Sequence, residues 1–244
     1  MDVTIQLPPL ASPVDELWHV LLDLGESLDM PWTLIGGQMV LLHVLEHGQV
    51  PPQVSQDGDV VADIRAVTDA LARVVAALEK AGFDLESMST DGLAHRYVRP
   101  ADPRPVVIDV LAPEGLGERA VLTTSPPGRT IEVPGGTQAL NRTERVTVVH
   151  EGRSGTLPRP TLLAAIVGKA AATALPTPER HYRDLALLCA LVDDPFALAE
   201  QLTTKDRQRV RNAKDLLDDT HAAWALVPEP IRSQGRIAYG ILYG

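Results

Sequence analysis

Two aspartates set two residues apart, Asp57 and Asp59 in Ser55-Gln56-Asp57-Gly58-Asp59-Val60-Val61, have the clearest chemical potential in this chain. Side chains at i and i+2 of a strand share one face, so a strand through this run would place both carboxylates on one side of a sheet, where they could share a divalent cation. Mg2+ is typically held by one or two carboxylates together with substrate phosphates, and paired metal sites clamp the attacking and leaving oxygens of a phosphoryl displacement. A third aspartate, Asp109, lies inside Val106-Val107-Ile108-Asp109-Val110-Leu111. If buried there it needs a partner or a metal; on an alternating strand it could instead face solvent. Asp57-Gly58 is also a hairpin-turn signal, which would leave Asp59 a solvated neighbour.

The elements around these residues decide which chemistry is open to them. Ser12-Pro13-Val14-Asp15 predicts a helix with Ser12 as N-cap, running to about Ser27 with Leu17, Val20, Leu21 and Leu24 inward. A short strand, Trp32 to Ile35, turns at Gly36-Gly37 into a helix carrying Met39, Val40, Leu42 and Leu45. A glycine pair at such a turn lets backbone N–H groups approach an anion at a helix start. Strand Asp59 to Ile64 and helix Thr68 to Ala81 follow, and then a region of strands and Pro- or Gly-rich turns to His150. Residues 151–160 read as a linker, and beyond them helices are expected over 161–174, 178–192, 195–202 and 205–226. The expected architecture is α+β: a mixed β-sheet with helices over residues 1–152, followed by a helical domain over 158–244.

Composition narrows the function. The 244 residues carry a formal net charge of -10, against a generic nucleic-acid coating role. A local basic run, Lys205, Arg207, Arg209, Arg211 and Lys214, reads as a solvated helix face. Only Lys80, Lys169, Lys205 and Lys214 are lysines, so Lys169 within an apolar helix stands out. The single cysteine, Cys189, reads as a small buried hydrophobe. The start Met1-Asp2-Val3-Thr4 lacks the pattern of a signal peptide and no apolar run is long enough to span a membrane, so the expectation is a soluble cytoplasmic protein with no membrane partner. His43-Val44-Leu45-Glu46-His47 matches the inverted zinc-protease pattern, and a zinc hydrolase is therefore an alternative. The competing expectation places His43 and His47 on the exposed side or tail of their helix.

The order of strand, Gly36-Gly37, helix, Asp57-x-Asp59, strand and later Asp109 resembles the nucleotidyltransferase superfamily with the DNA polymerase β-like fold. Downstream, the helix Thr161 to Ala171 carrying Lys169, and the segment His181-Tyr182-Arg183-Asp184-Leu185, are similar to motifs of the AbiEii-type toxin nucleotidyltransferases. That resemblance implies that Asp57, Asp59 and Asp109 hold Mg2+ and that Asp109 also draws a proton from an attacking hydroxyl. Gly36, Gly37 and Ser55 would contact the NTP, with Lys169 and Arg183 contributing charge and Asp184 positioning either Lys169 or a metal-bound group. It further implies NTP as substrate, an acceptor such as the tRNA 3′ end or a small molecule, and an antitoxin protein as partner. Two positions depart from the family pattern: Gly58 where an apolar residue is common, and Gln53 where an arginine is. They leave open a catalytically degenerate fold that acts as a binding or regulatory module.

Overall fold

The computed structural model describes residues 3–117 and 120–244. Of the N-terminal run Met1-Asp2-Val3-Thr4, Met1 and Asp2 lie outside the described residues. The chain forms two compact units, one of Met1–Met39 with Val54–Pro160 and one of Val40–Gln53 with Thr161–Gly244.

The first unit is α+β. Its elements are β1 (Thr4–Gln6), α1 (Val14–Ser27), β2 (Trp32–Ile35), the start of α2 (Gly36–Glu46), β3 (Asp57–Ala62), α3 (Ala70–Lys80), β4 (Asp84–Leu85), β5 (Arg96–Arg99), β6 (Val106–Pro113), β7 (Glu132–Val133), α4 (Gly136–Asn141), β8 (Thr143–His150) and β9 (Arg153–Pro160). One mixed sheet has the order β2-β3-β6-β5-β4, with β7 on β6, and a second has the order β1-β8-β9. In the first, β3 runs parallel to β6, while β2 and β5 flank the pair antiparallel. The long inward runs of β3 and β6, Val60 to Ala62 and Val110 to Ala112, are buried as central strands require.

Asp57-Gly58 is not a hairpin turn. Asp57, Gly58 and Asp59 all lie in β3 and pair in register with Val107, Ile108 and Asp109. Gly58 lies close under α1: a Cβ there would come 3.1 Å from Leu17 Cδ1, a tight contact with the end of a flexible side chain. Ser12 also differs from expectation, because its hydroxyl lies 2.8 Å from the Asp102 carbonyl and 3.1 Å from Glu16 Oε1, sharing its one proton between these acceptors, and α1 has no side-chain cap.

Residues 151–160 are not a linker. They form a turn at Glu151 and Gly152, both with positive φ, and then β9, which pairs with β8 along its whole length. Strand β9 is the edge of its sheet, where Pro158 and Pro160 can sit without removing a central ladder bond. Its glycine has a packing reason. A Cβ on Gly155 would lie 2.9 Å from Leu22 Cδ2, and one on Gly25 of α1 would lie 2.6 Å from the Thr156 carbonyl oxygen. The helix thus rests directly on the strand's backbone.

The second unit is helical: the rest of α2, then α5 (Leu162–Ala172), α6 (Glu179–Cys189), α7 (Pro195–Glu200), α8 (Thr204–Asn212), α9 (Ala222–Ala225) and α10 (Glu229–Tyr243). The single helix expected over 205–226 is divided into α8, a 3-10 turn at Lys214–Leu217 and α9. The Tyr239 hydroxyl, from α10, donates in the region where α8 ends and lies 2.6 Å from the Ala213 carbonyl. Trp224 Nε1 donates to the Leu216 carbonyl at 3.0 Å. These bonds satisfy helix-end carbonyls that would otherwise be orphaned. Helix α10, absent from the sequence expectation, packs on α6 and α7 through a face that includes Gly235, where a Cβ would meet that of Ala190 at 2.9 Å. Cys189 is buried, and among the described residues no helix is long and apolar enough to cross a membrane.

The glycine contacts give opposite expectations for two alanine substitutions. Gly58→Ala should change stability by less than about 1 kcal/mol, because lower chain entropy in the unfolded state offsets a small shift of Leu17. Gly25→Ala should lose about 1–3 kcal/mol, because the obstacle is backbone. Urea denaturation of the two variants beside the parent protein measures the difference.

Candidate functional site

The pairing register builds a row of charged side chains across the first sheet. Ile35 of β2 is opposite Asp59 of β3, Asp59 is opposite Asp109 of β6, and Asp109 is opposite Arg96 of β5. Directly opposed residues share a face, and Asp57 joins them because it is two residues from Asp59. All three predicted carboxylates therefore come to one face of two adjacent strands. Asp57 and Asp59 are half-buried and Asp109 is buried.

Helix α2 begins where this row ends. Gly36 has φ +70, and a Cβ built on it would lie 1.8 Å from Asp59 Oδ2. A Cβ on Gly37 would lie 2.3 Å from that of Ser55. Both glycines are thus required by the approach of the acidic segment to the helix start, where the helix dipole favours a carboxylate. Asp59 and Ser55 are the side chains that lie against these two glycines. Ser55 Oγ donates to Asp57 Oδ1 at 2.5 Å, so the serine predicted at the nucleotide orients a carboxylate. Gln38, fully buried, donates from Nε2 to the carbonyls of Ser55 at 2.9 Å and Asp57 at 3.3 Å. That side chain ties α2 to the acidic segment.

Asp109 is held by a bidentate ion pair. Arg96 Nε and Nη2 each donate to one of its oxygens at 2.9 Å. The hydrogen bonds to Asp109 hold the Arg96 guanidinium above its ordinary value against the opposing effect of burial, with Glu86 and Asp57 adding smaller attractions. Fork geometry of this kind makes arginine a specific partner for a carboxylate. Carboxylate oxygens are hard donors of the kind that suits Mg2+, yet among the described residues Asp57, Asp59 and Asp109 are not one of the groups whose ligand atoms all lie within 4.8 Å of one another.

In the helical unit Lys169 is buried on α5, and its Nζ donates to Asp184 Oδ2 on α6 at 2.5 Å. The predicted pairing of these residues is present. His181, one turn before Asp184, is lowered to about 4 by burial, then by the charges of Lys169 and Arg180. Arg183 Nη1 donates to Gln53 Oε1 at 3.0 Å, so the glutamine that departs from the family pattern is an arginine's partner. Two residues of the basic run serve packing: Arg207 donates to the Ala199 carbonyl at 2.7 Å and Arg211 to that of Tyr243 at 3.2 Å. Lys205 and Lys214 are exposed.

His43 corrects the expectation of an exposed pair, since it is buried inside α2. His47 Nδ1 lies 2.8 Å from the His43 carbonyl and folds back on its own helix. Among the described residues, the group of possible metal ligands that contains His43 includes Glu46 and not His47. His43 is buried because α2 is apolar on nearly every side, with Met39 to Leu42 and Val44 all buried.

Sequence reasoning missed two residues of the site, Gln38 and Arg96. Gln38 follows the glycine pair in an otherwise apolar helix, and such a lone polar residue was a usable signal. Arg96 gave none, because its partner is fixed by strand register. No family model and no curated protein matches the chain. Solved structures similar to it include the nucleotidyltransferase toxin MenT4 from Mycobacterium tuberculosis, at 15% identity and a TM-score of 0.49 over 94% of this chain and 82% of that one. The antibiotic-resistance factor ANT(2'')-Ia is similar at 12% identity and a TM-score of 0.38, over 96% of this chain and 95% of that one.

Gly36→Ala should lose about 2–4 kcal/mol in urea denaturation, since it adds strain at positive φ to a clash with Asp59. His181 gives a pH signature. Its folded value lies below the unfolded value near 6.5, so the unfolded chain takes up the proton first and stability falls as pH drops from about 6.5 to about 4. That loss is at most about 3 kcal/mol. Comparing urea midpoints of the parent and His181→Gln across this range should show a shallower decline in the variant.

Proposed function

We propose that the chain is a metal-dependent nucleotidyltransferase that moves a nucleoside monophosphate from an NTP to an acceptor hydroxyl, releasing pyrophosphate. One observation carries the proposal: Asp57, Asp59 and Asp109 share one face of adjacent strands beside the start of α2. Asp57 and Asp59 would hold Mg2+, with Asp109 as the third carboxylate, and the bound metal would neutralise triphosphate oxygens. Ser55 and Gln38 keep Asp57 in place. Asp109 is the group assigned to accept the proton of the attacking hydroxyl. Lys169, oriented by Asp184, is the cation assigned to the triphosphate, since a flexible ammonium serves as a point charge for phosphate. Gly36, Gly37 and Arg183 complete the proposed nucleotide contacts.

The proposed acceptor is an RNA end such as a tRNA 3′ hydroxyl, with a small-molecule hydroxyl as the other class, and the proposed setting is a cytoplasmic toxin controlled by an antitoxin protein. The net charge of -10 is the sequence feature that favours a small acceptor or a basic protein partner. A second reading, a nucleotide-binding module without turnover, is favoured by the engagement of both Asp109 oxygens by Arg96.

Incubation with each labelled NTP, Mg2+ and total tRNA, with parallel reactions on protein and aminoglycoside acceptors, tests turnover. Label should reach one acceptor class, and Asp57→Ala combined with Asp59→Ala should reduce transfer by at least about 100-fold. Absence of transfer to every acceptor, with Mg-NTP binding retained, would favour the binding module.

A further inference from the structure

We propose that Arg96 is a built-in competitor of the divalent cation: it holds Asp109 while the site lacks metal and releases it by moving to Glu86, so that it sets the cation concentration at which Asp109 joins Asp57 and Asp59. The inference rests on the metal-site reading of the three aspartates.

The geometry supplies both ends of the exchange. Arg96 occupies both oxygens of Asp109 at 2.9 Å, so the carboxylate's strongest acceptor directions are taken. A cation arriving at Asp109 must displace at least one of these bonds. The two partners differ in freedom to move, because the Arg96 side chain is 40% exposed and that of Asp109 is 10% exposed. The arginine therefore swings and the aspartate stays. A second seat stands beside it. Arg96 lies on β5 between β6 and the chain leaving β4, and the Glu86 backbone N–H donates to the Arg96 carbonyl at 3.0 Å. Glu86 is exposed and its charge already acts on the guanidinium. Exchange of one carboxylate for another keeps Arg96 paired in both positions, so neither state leaves an isolated charge. The same exchange relieves the opposition of Asp59 and Asp109 by cation in one state and by arginine in the other.

The probe is Mn2+, followed by the electron paramagnetic resonance of the free ion in the absence of NTP. Arg96→Gln should tighten Mn2+ binding about tenfold or more. The gain should vanish in the Asp109→Asn background. Glu86→Gln, at an exposed position, should weaken binding about threefold by removing the second seat. Unchanged or weaker binding in soluble Arg96→Gln would overturn the competition. Should Arg96→Gln fail to fold, Glu86→Gln decides: a raised Kd supports the exchange and an unchanged Kd overturns it. Mn2+ binding by the parent chain that is lost in Asp57→Asn shows that the metal site itself stands, whatever the arginine does. No Mn2+ binding by the parent or by Arg96→Gln would sink the metal-site reading as well as the competition.

Discussion

Like charges directly opposed on neighbouring strands destabilise a sheet, and Asp59 and Asp109 are so opposed at the centre of the first unit. The surrounding structure is organised to hold that pair. Asp59 is drawn to the positive end of α2, which is possible only because Gly36 has no side chain. Asp109 is held by the fork of Arg96 from the strand on its other side. Each carboxylate thus has its own source of positive charge, one a helix end and the other a guanidinium.

The same strand is shaped from its opposite face by α1. Leu17 and Leu21 lie over Gly58, so the glycine between the two aspartates answers to helix packing while its neighbours answer to charge. The helix also rests on β9 through Gly25 and Gly155, a contact in which backbone replaces side chain as the packing surface. Helix α1 contacts β3, β6, β8 and β9, elements of both sheets of the unit. The helix thus ties the two sheets together, beside the direct contact of β2 with β9 and the contacts of α4 with both sheets.

Much of this was legible because local periodicity and tertiary need agreed. The strand, glycine pair and helix of β2 and α2 follow from the residues, as do the helices carrying Lys169 and Asp184. Strand β9 was hidden because Pro158, Pro160 and Gly155 are local signs of a loop, and only an edge position with a helix lying on it turns them into a strand. Helix α10 was hidden for a related reason: its inward face includes Gly235 and Ala238, which give little hydrophobic signal in sequence but permit close helix approach. His43 was misplaced because polarity alone suggested exposure, whereas its helix is buried nearly all round. Arg96 and Asp109 meet through register, which is a property of paired strands and not of either segment.

The course of the chain through its two units bears on how the protein is made. Residues 40–53 leave the first unit inside α2 and belong to the helical one, whose remaining members start at Thr161. A ribosome therefore delivers the mostly buried, apolar middle of α2 well before the helices that share its unit exist. Until Thr161 and its successors emerge, that segment is an exposed greasy stretch attached to a nearly complete α+β unit. The same course means that no single cut in the chain separates the two units into intact halves.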